Sequence, residues 1–181
     1  MKKNIIWISV AMLVLVAGYL YQTVPTEKYT VSIRGNNGIE MGTIQMSETK
    51  AGVLLILDIS GLTPEGGHAI HIHETGDCTP LESFKNAGGH FNPTHKSHGM
   101  KHPKGYHAGD MPNLHPDEKG HIRAQVLNRK ITLEKADGGN NRASVFDPDG
   151  SAIVIHAGAD DHMSQPSGAA GKRIACGVIS R

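Results

Sequence analysis

The stretch HAIHIHETGDC, residues 68–78, places three histidines within six positions and ends on a cysteine, in a chain with 12 His and 2 Cys. His71 and His73 stand at i and i+2. On a β-strand such side chains share a face, with Cα atoms about 6.6 Å apart, so two imidazoles can converge on one cation. The pair alone also fits a polar strand face that binds nothing. His68 falls outside this phase, just after Gly66-Gly67, and reads as a turn residue. A second group lies in GGHFNPTHKSHGMKHPKGYHAGD, residues 88–110, which holds His90, His95, His98, His102, His107 and Asp110. Four of these could surround a zinc ion, which prefers tetrahedral nitrogen, oxygen or sulfur donors. Spacing does not choose the four, and a solvated basic loop is the alternative. His156 ends the apolar run AIVIH; read alone, it fits a structural residue better than a ligand.

The segments that must position these residues read as strands. YTVSIR and IEMGTIQMS flank GNNG, a turn that accepts positive φ. GVLLILDIS is a β-branched and Leu run that ends at Gly61, AIHIHE alternates, and HIRAQVLN alternates more weakly. In SVFDPDGSAIVIHA the turn Asp147-Pro148-Asp149-Gly150 separates two apolar stretches, and RIACGVIS closes the chain. No segment has helical periodicity over 12 or more residues. Strands punctuated by Gly and Pro predict an all-β antiparallel barrel or sandwich. Residues 75–120 stand apart, being rich in Gly, His, Lys and Pro. A loop of that length in a compact domain is either functional or disordered, and its histidines point to a metal that orders it.

At the N-terminus, Lys2 and Lys3 precede IIWISVAMLVLVAGYLY, and no charge follows until Glu27. Basic residues before an apolar run are the layout of an export signal or an uncleaved membrane anchor. Both readings of residues 1–24 place the rest outside the cytoplasm, because the lysines favour the cytoplasmic side. Residues 25–28 form a linker, and residues 29–181 suffice for one domain. Two cysteines in an exported chain suggest one disulfide. The net charge of +1 gives no field that would attract nucleic acid.

Taken together, six ordered motifs over residues 29–181 resemble the copper–zinc superoxide dismutase family, in its bacterial extracytoplasmic branch. AIHIHETGDCT resembles the segment with two copper ligands and a cysteine, and GGHFNP the one with the metal-bridging histidine. KSHG and YHAGD resemble the remaining zinc ligands. VIHAGADD resembles the last copper ligand with its supporting aspartate, and GAAGKRIACGVI the C-terminal signature. The resemblance implies a Greek-key β-barrel or sandwich of about eight antiparallel strands, with long metal-binding and electrostatic loops. It implies one copper on His71, His73, His90 and His156, and one zinc on His90, His98, His107 and Asp110, with His90 shared. It implies Asp160 hydrogen-bonding His71 and His98, a Cys78–Cys176 disulfide, and Arg173 attracting a superoxide substrate. His90 and Arg173 are then the catalytic residues, in a monomer or a homodimer. His68, His95, His102, His115, His121 and His162 receive no ligand role.

The chain departs from many relatives at Ile70, where an aromatic is common, and at Pro166 and Ser167, where lysine and threonine are common. Lys172, Lys96, Lys101 and Lys104 are the candidates to compensate for that lysine. A copper buffer or chaperone is the competing class. Such proteins pass Cu(I) through paired cysteines such as CxxC, and this chain has no such pair.

Overall fold

The computed structural model describes residues 27–81, 83–135 and 141–181. The expected export segment, residues 1–24, and residues 25 and 26 of the linker lie outside the described residues. Strands β1 (Lys28–Gly35), β2 (Glu40–Thr49) and β3 (Gly52–Ile59) form an antiparallel meander. Alternate apolar residues of each turn inward and are buried: Val31 and Ile33, Ile44 and Met46, then Val53, Leu55, Leu57 and Ile59. A period of two with one face on the core is what an antiparallel sheet with one wet face requires. Each such Ile or Leu contributes roughly 1.5–3 kcal/mol by leaving water. The expected GNNG turn joins β1 to β2, with Gly38 at φ 76° and its N–H bonded to the Gly35 carbonyl at 2.9 Å.

The remaining strands are β4 (Ile70–His73), β5 (Ile122–Asn128), β6 (Ile131–Thr132), β7 (Ala143–Ser144), β8 (Ser151–His156) and β9 (Arg173–Ile179). Seven strands make one curled antiparallel sheet in the order β4-β8-β9-β1-β2-β3-β5. The chain leaves β3, crosses to the opposite edge for β4, and returns to pair β5 with β3. The expected antiparallel architecture of about eight strands is observed. Among the described residues, seven are antiparallel and a short parallel pair, β6 and β7, stands apart. Two residues per strand are too few to alternate visibly, so that pair left no periodic signal.

The β4-β8-β9 end differs from the meander because both of its faces are covered. β4 and β8 contain no exposed residue. Ile70, Ile72, Ile153 and Ile155 face the main core. On the other face Ala152, Val154 and Cys176 pack with Phe84 and Ala87 of the long loop. Cys78 and Cys176 form a disulfide that fastens this loop to β9. Apart from a single 3-10 turn, Lys85–Ala87, the described part of residues 75–120 has no helix, as its composition predicts. The loops therefore roof a strand face that would otherwise be wet, and His71 and His73 stand beneath that roof.

Candidate metal centre

His71 and His73 share the roofed face of β4, as their i, i+2 spacing predicts, and both are fully buried. His90 comes alongside because its loop pairs with β4 by backbone bonds. Glu74 N–H donates to the Gly89 carbonyl at 3.0 Å and Phe91 N–H to the Ile72 carbonyl at 2.8 Å. His156 ends β8 where the register against β9 shifts between Ile155 and His156, so that His156 lies opposite Arg173. Such an irregularity re-aims a side chain at a strand end. Ring centroids then stand 3.9 Å apart for His71 and His90, 4.9 Å for His71 and His156, and 5.0 Å for His73 and His90.

One nitrogen of each ring is already committed. His71 Nε2–H donates to Asp160 Oδ2 at 2.9 Å, His73 Nδ1–H to the Gly88 carbonyl at 3.0 Å, and His156 Nδ1–H to the Gly171 carbonyl at 3.3 Å. His90 Nδ1 faces Asp110 Oδ1 at 2.9 Å. The opposite nitrogens are His71 Nδ1, His73 Nε2, His90 Nε2 and His156 Nε2. All four are buried without a hydrogen-bond partner among the described residues. The four residues can present ligand atoms that all lie within 4.8 Å of one another. A buried polar atom without a partner demands an explanation. Here four of them are explained together by one cation of the kind imidazole suits, such as copper.

A second group shares His90. Asp110 Oδ1 lies 2.9 Å from His90 Nδ1, 3.1 Å from His98 Nδ1 and 3.3 Å from His107 Nδ1. The His107 contact is close without being a directed hydrogen bond, and its Nδ1 counts among the unpartnered atoms. The other carboxylate oxygen is held by the N–H groups of Gly99 at 2.9 Å and His107 at 3.1 Å, which leaves Oδ1 aimed at the three nitrogens. Three imidazoles and one carboxylate fit a closed tetrahedral zinc site.

Asp160 ties the groups together. Its Oδ2 accepts from His71 Nε2–H and its Oδ1 from His98 Nε2–H, each at 2.9 Å. Outer partners of this kind fix ring orientation and tautomer. Electrostatics follow the same division. Burial depresses the pKa of His71, and that of His73 strongly. It holds His90 at about 4 and His156 at about 3, so these rings are neutral and ligand-competent at neutral pH. For Asp110 and Asp160, burial alone would raise the pKa. Hydrogen bonds from the surrounding histidines and main-chain N–H groups outweigh it and hold both carboxyls far below the usual range. His98 shows the converse. Burial opposes its charge, but Asp110 and Asp160 on its two nitrogens raise it to about 9.

The first group opens on a cleft lined by His73, His90, His156, Glu74 and Arg173, with Pro166 and Ser167 also present. Arg173 is held there by the loop carbonyls, with Nη1–H on Phe84 at 2.7 Å and Nη2–H on Gly88 at 2.6 Å. Among the described residues lining this cleft, Arg173 is the sole Lys or Arg. Neither Lys172 nor the loop lysines 96, 101 and 104 line it. The two groups therefore contain all seven expected ligands, with Asp160 between them. His95 is exposed and lines the cleft without joining either group.

His68 corrects the sequence reading. It is 1% exposed and spans two segments, with Nδ1 2.7 Å from the His156 carbonyl and Nε2 3.1 Å from that of Thr63. The available signal was its parity: positions 68, 70 and 72 share the inward face. Asn113 and Gln165 were also missed. Neither residue type is a metal ligand by habit, and only the folded loops show what they hold.

Comparisons with known proteins point to one family. The sequence model described as copper/zinc superoxide dismutase (SODC) matches residues 40–179. The chain is 49% identical over 152 residues to superoxide dismutase [Cu-Zn] 1 of Aquifex aeolicus, covering 84% of this chain and 87% of that protein. It is 42% identical over 152 residues to superoxide dismutase [Cu-Zn] of Caulobacter vibrioides, covering 83% and 84% respectively. Among solved structures, a SOD-like protein from Bacillus subtilis is similar, with TM-score 0.77, 35% identity, and coverage of 84% of this chain and 98% of that one. The Cu/Zn superoxide dismutase from Brucella abortus is similar with TM-score 0.66 and 30% identity, covering 85% of this chain and 100% of that one.

Proposed function

The chain belongs to the copper/zinc superoxide dismutase family, and from that premise we propose which residues hold each metal and what the others do in the dismutation of superoxide. His71 Nδ1, His73 Nε2, His90 Nε2 and His156 Nε2 hold copper. His90 Nδ1, His98 Nδ1, His107 Nδ1 and Asp110 Oδ1 hold zinc. The observation that carries this reading is the set of four buried, unpartnered nitrogens converging beside a second donor set that shares His90. Copper, when bound, supplies a one-electron couple, through which one superoxide is oxidised to O₂ and a second is reduced, with two protons, to H₂O₂.

The protein's own part is to bind, orient and deliver protons. His90 is the proton carrier, at Nε2, because that atom faces the copper group while Nδ1 remains on the zinc side. A cation at Nδ1 lowers the cost of losing the proton at the other nitrogen. His71 and His156 keep their rings fixed through Asp160 and the Gly171 carbonyl, which would aim their free nitrogens at a bound copper. Arg173 commits two of its five N–H donors to loop carbonyls, and the rest of the guanidinium remains charged beside the cleft. It attracts a small anion without touching the metals.

The basic and apolar residues 1–24 support an extracytoplasmic location, as a cleaved signal or a retained anchor, and a disulfide suits such a compartment. Fractionation of cells making the full chain, with carbonate extraction of the membranes, separates these two fates. The activity itself is tested by superoxide decay on purified protein, with copper and zinc measured on the same sample. Decay that scales with copper, at about one copper and one zinc per chain, supports the reading. Full metal loading without decay contradicts it.

A further inference from the structure

A side-chain amide that pairs with both main-chain polar groups of a single residue fixes that residue's backbone from two sides. Two such pairings cross between the histidine loop and the loop before β9, in opposite directions. Asn113 Oδ1 accepts from Asp160 N–H at 2.8 Å, and Asn113 Nδ2–H donates to the Asp160 carbonyl at 2.8 Å. Gln165 Oε1 accepts from His98 N–H at 2.9 Å, and Gln165 Nε2–H donates to the His98 carbonyl at 3.0 Å. The two residues so gripped, Asp160 and His98, are themselves joined by the 2.9 Å bond from His98 Nε2–H to Asp160 Oδ1. Each loop thus contributes one amide that holds the far partner of that bond.

The surroundings leave little slack. Lys101 N–H reaches the His162 carbonyl at 3.1 Å. A Cβ on Gly99 would stand 2.2 Å from the His162 carbonyl oxygen, so the two loops touch backbone to backbone beside His98. Gly168, at φ +71°, closes over the bond; a Cβ there would lie 1.8 Å from Asp160 Oδ1 and 2.7 Å from His98 Nε2.

We propose that Asn113 and Gln165 are positioning residues, a reciprocal latch between the two loops that sets the Asp160–His98 bond and so aims His98 Nδ1 into the zinc group. The inference rests on the assignment of His98 to zinc made above. The ring of His98 sits between two carboxylates, and its direction is decided by which of them is held in place. Asp110 is anchored within its own loop by the N–H groups of Gly99 and His107. Asp160 comes from the other loop, where the His162 N–H also holds its Oδ1 at 2.6 Å, so its placement relative to His98 depends on what ties the loops together. Because Asp160 also accepts from His71, the latch reaches both donor sets.

The test uses the full chain and measures zinc affinity by competition with a chelator, together with the visible spectrum of cobalt(II) bound in place of zinc. Gln165→Ala and Asn113→Ala should each weaken zinc binding by about tenfold or more, the lower end of the range for lost outer partners, and alter the cobalt spectrum. Gln165→Glu, which keeps an acceptor for His98 N–H, should recover part of the loss. The double variant should lose less than the product of the single losses, since both act through one bond. Singles within twofold of wild type, with the wild-type cobalt spectrum, overturn the latch. So does a lowered thermal midpoint of the metal-free protein with zinc affinity unchanged, which is the mark of a merely structural role. His107→Ala separates the two levels: if it binds zinc as wild type does, the zinc assignment falls and the latch with it. Should Asn113→Ala fail to fold, Gln165→Ala, at an exposed loop position, decides alone.

Discussion

At the scale of single residues, the metal-free centre holds opposed titrations. His90 and His156 are depressed by burial to about 4 and about 3, and His73 well below its ordinary value. Relative to an unfolded value of about 6.5, a depressed pKa means that the folded state disfavours the proton. The stability these neutral rings support is therefore complete above about pH 6.5 and lost as pH falls through the folded values. His98 has the opposite sign, since its two carboxylates raise it to about 9. Its contribution is complete below about 6.5 and lost as pH rises through about 9. Thermal unfolding of the metal-free protein should thus show a midpoint that falls on both sides of neutrality, more steeply towards acid, where four depressed rings, His71 among them, act together. A midpoint that stays level from pH 7 to 4 would contradict the burial argument. Some of these residues were legible beforehand and others were not. Strand spacing put His71 and His73 on one face, and the resemblance made them ligands. His90, His98, His107 and Asp110 were chosen over His95 and His102 by resemblance, because spacing within a loop carries no geometric period.

At the scale of elements, the disulfide and the loop that it fastens set the second face of β8 and β9. Cys78 and Cys176 are 98 residues apart in sequence. A crosslink that closes a loop of this length constrains the unfolded chain by about 4–5 kcal/mol in the chain-entropy model. Phe84, 2% exposed, belongs to the same loop and packs against Ala152, Val154 and Cys176 of β8 and β9, and its carbonyl holds Arg173. Reduction of the disulfide, or Phe84→Ala at about 3–5 kcal/mol, should lower thermal stability and weaken activity together, because the loop that aims Arg173 loosens. Calorimetry and superoxide decay on the same samples check this; loss of stability with the salt-sensitive rate intact would show that the loop does not aim Arg173. The strands themselves were largely readable, since β1, β2 and β3 bury alternate apolar residues. The covering of β4 and β8 was not, because a strand roofed by an irregular loop carries no periodic mark of its roof. His68 was misread for a related reason: glycines before it suggested a turn, while its parity with Ile70 and Ile72 already placed it inward.

At the scale of the whole molecule, net charge is +1, so attraction of an anion must be local. Arg173 is the one Lys or Arg among the described residues lining the cleft, and Pro166 and Ser167 line it without adding charge. Exposed charges are screened over about 8–10 Å at 0.1–0.15 M salt. The wild-type rate should therefore fall with ionic strength. Arg173→Ile should be slower by something on the order of tenfold, flatter in its salt dependence, and unchanged in metal content. A fully metallated Arg173→Ile as fast and as salt-sensitive as wild type would shift the role to lysines outside the cleft. The central claim is the division of the donors into two sets that share His90. It is tested most directly by copper and zinc content per chain in wild type, His156→Ala and His107→Ala, each loaded with both metals. The account predicts one of each metal in wild type, zinc retained and copper lost in His156→Ala, and zinc lost first in His107→Ala. The same pattern of loss in both variants would contradict it.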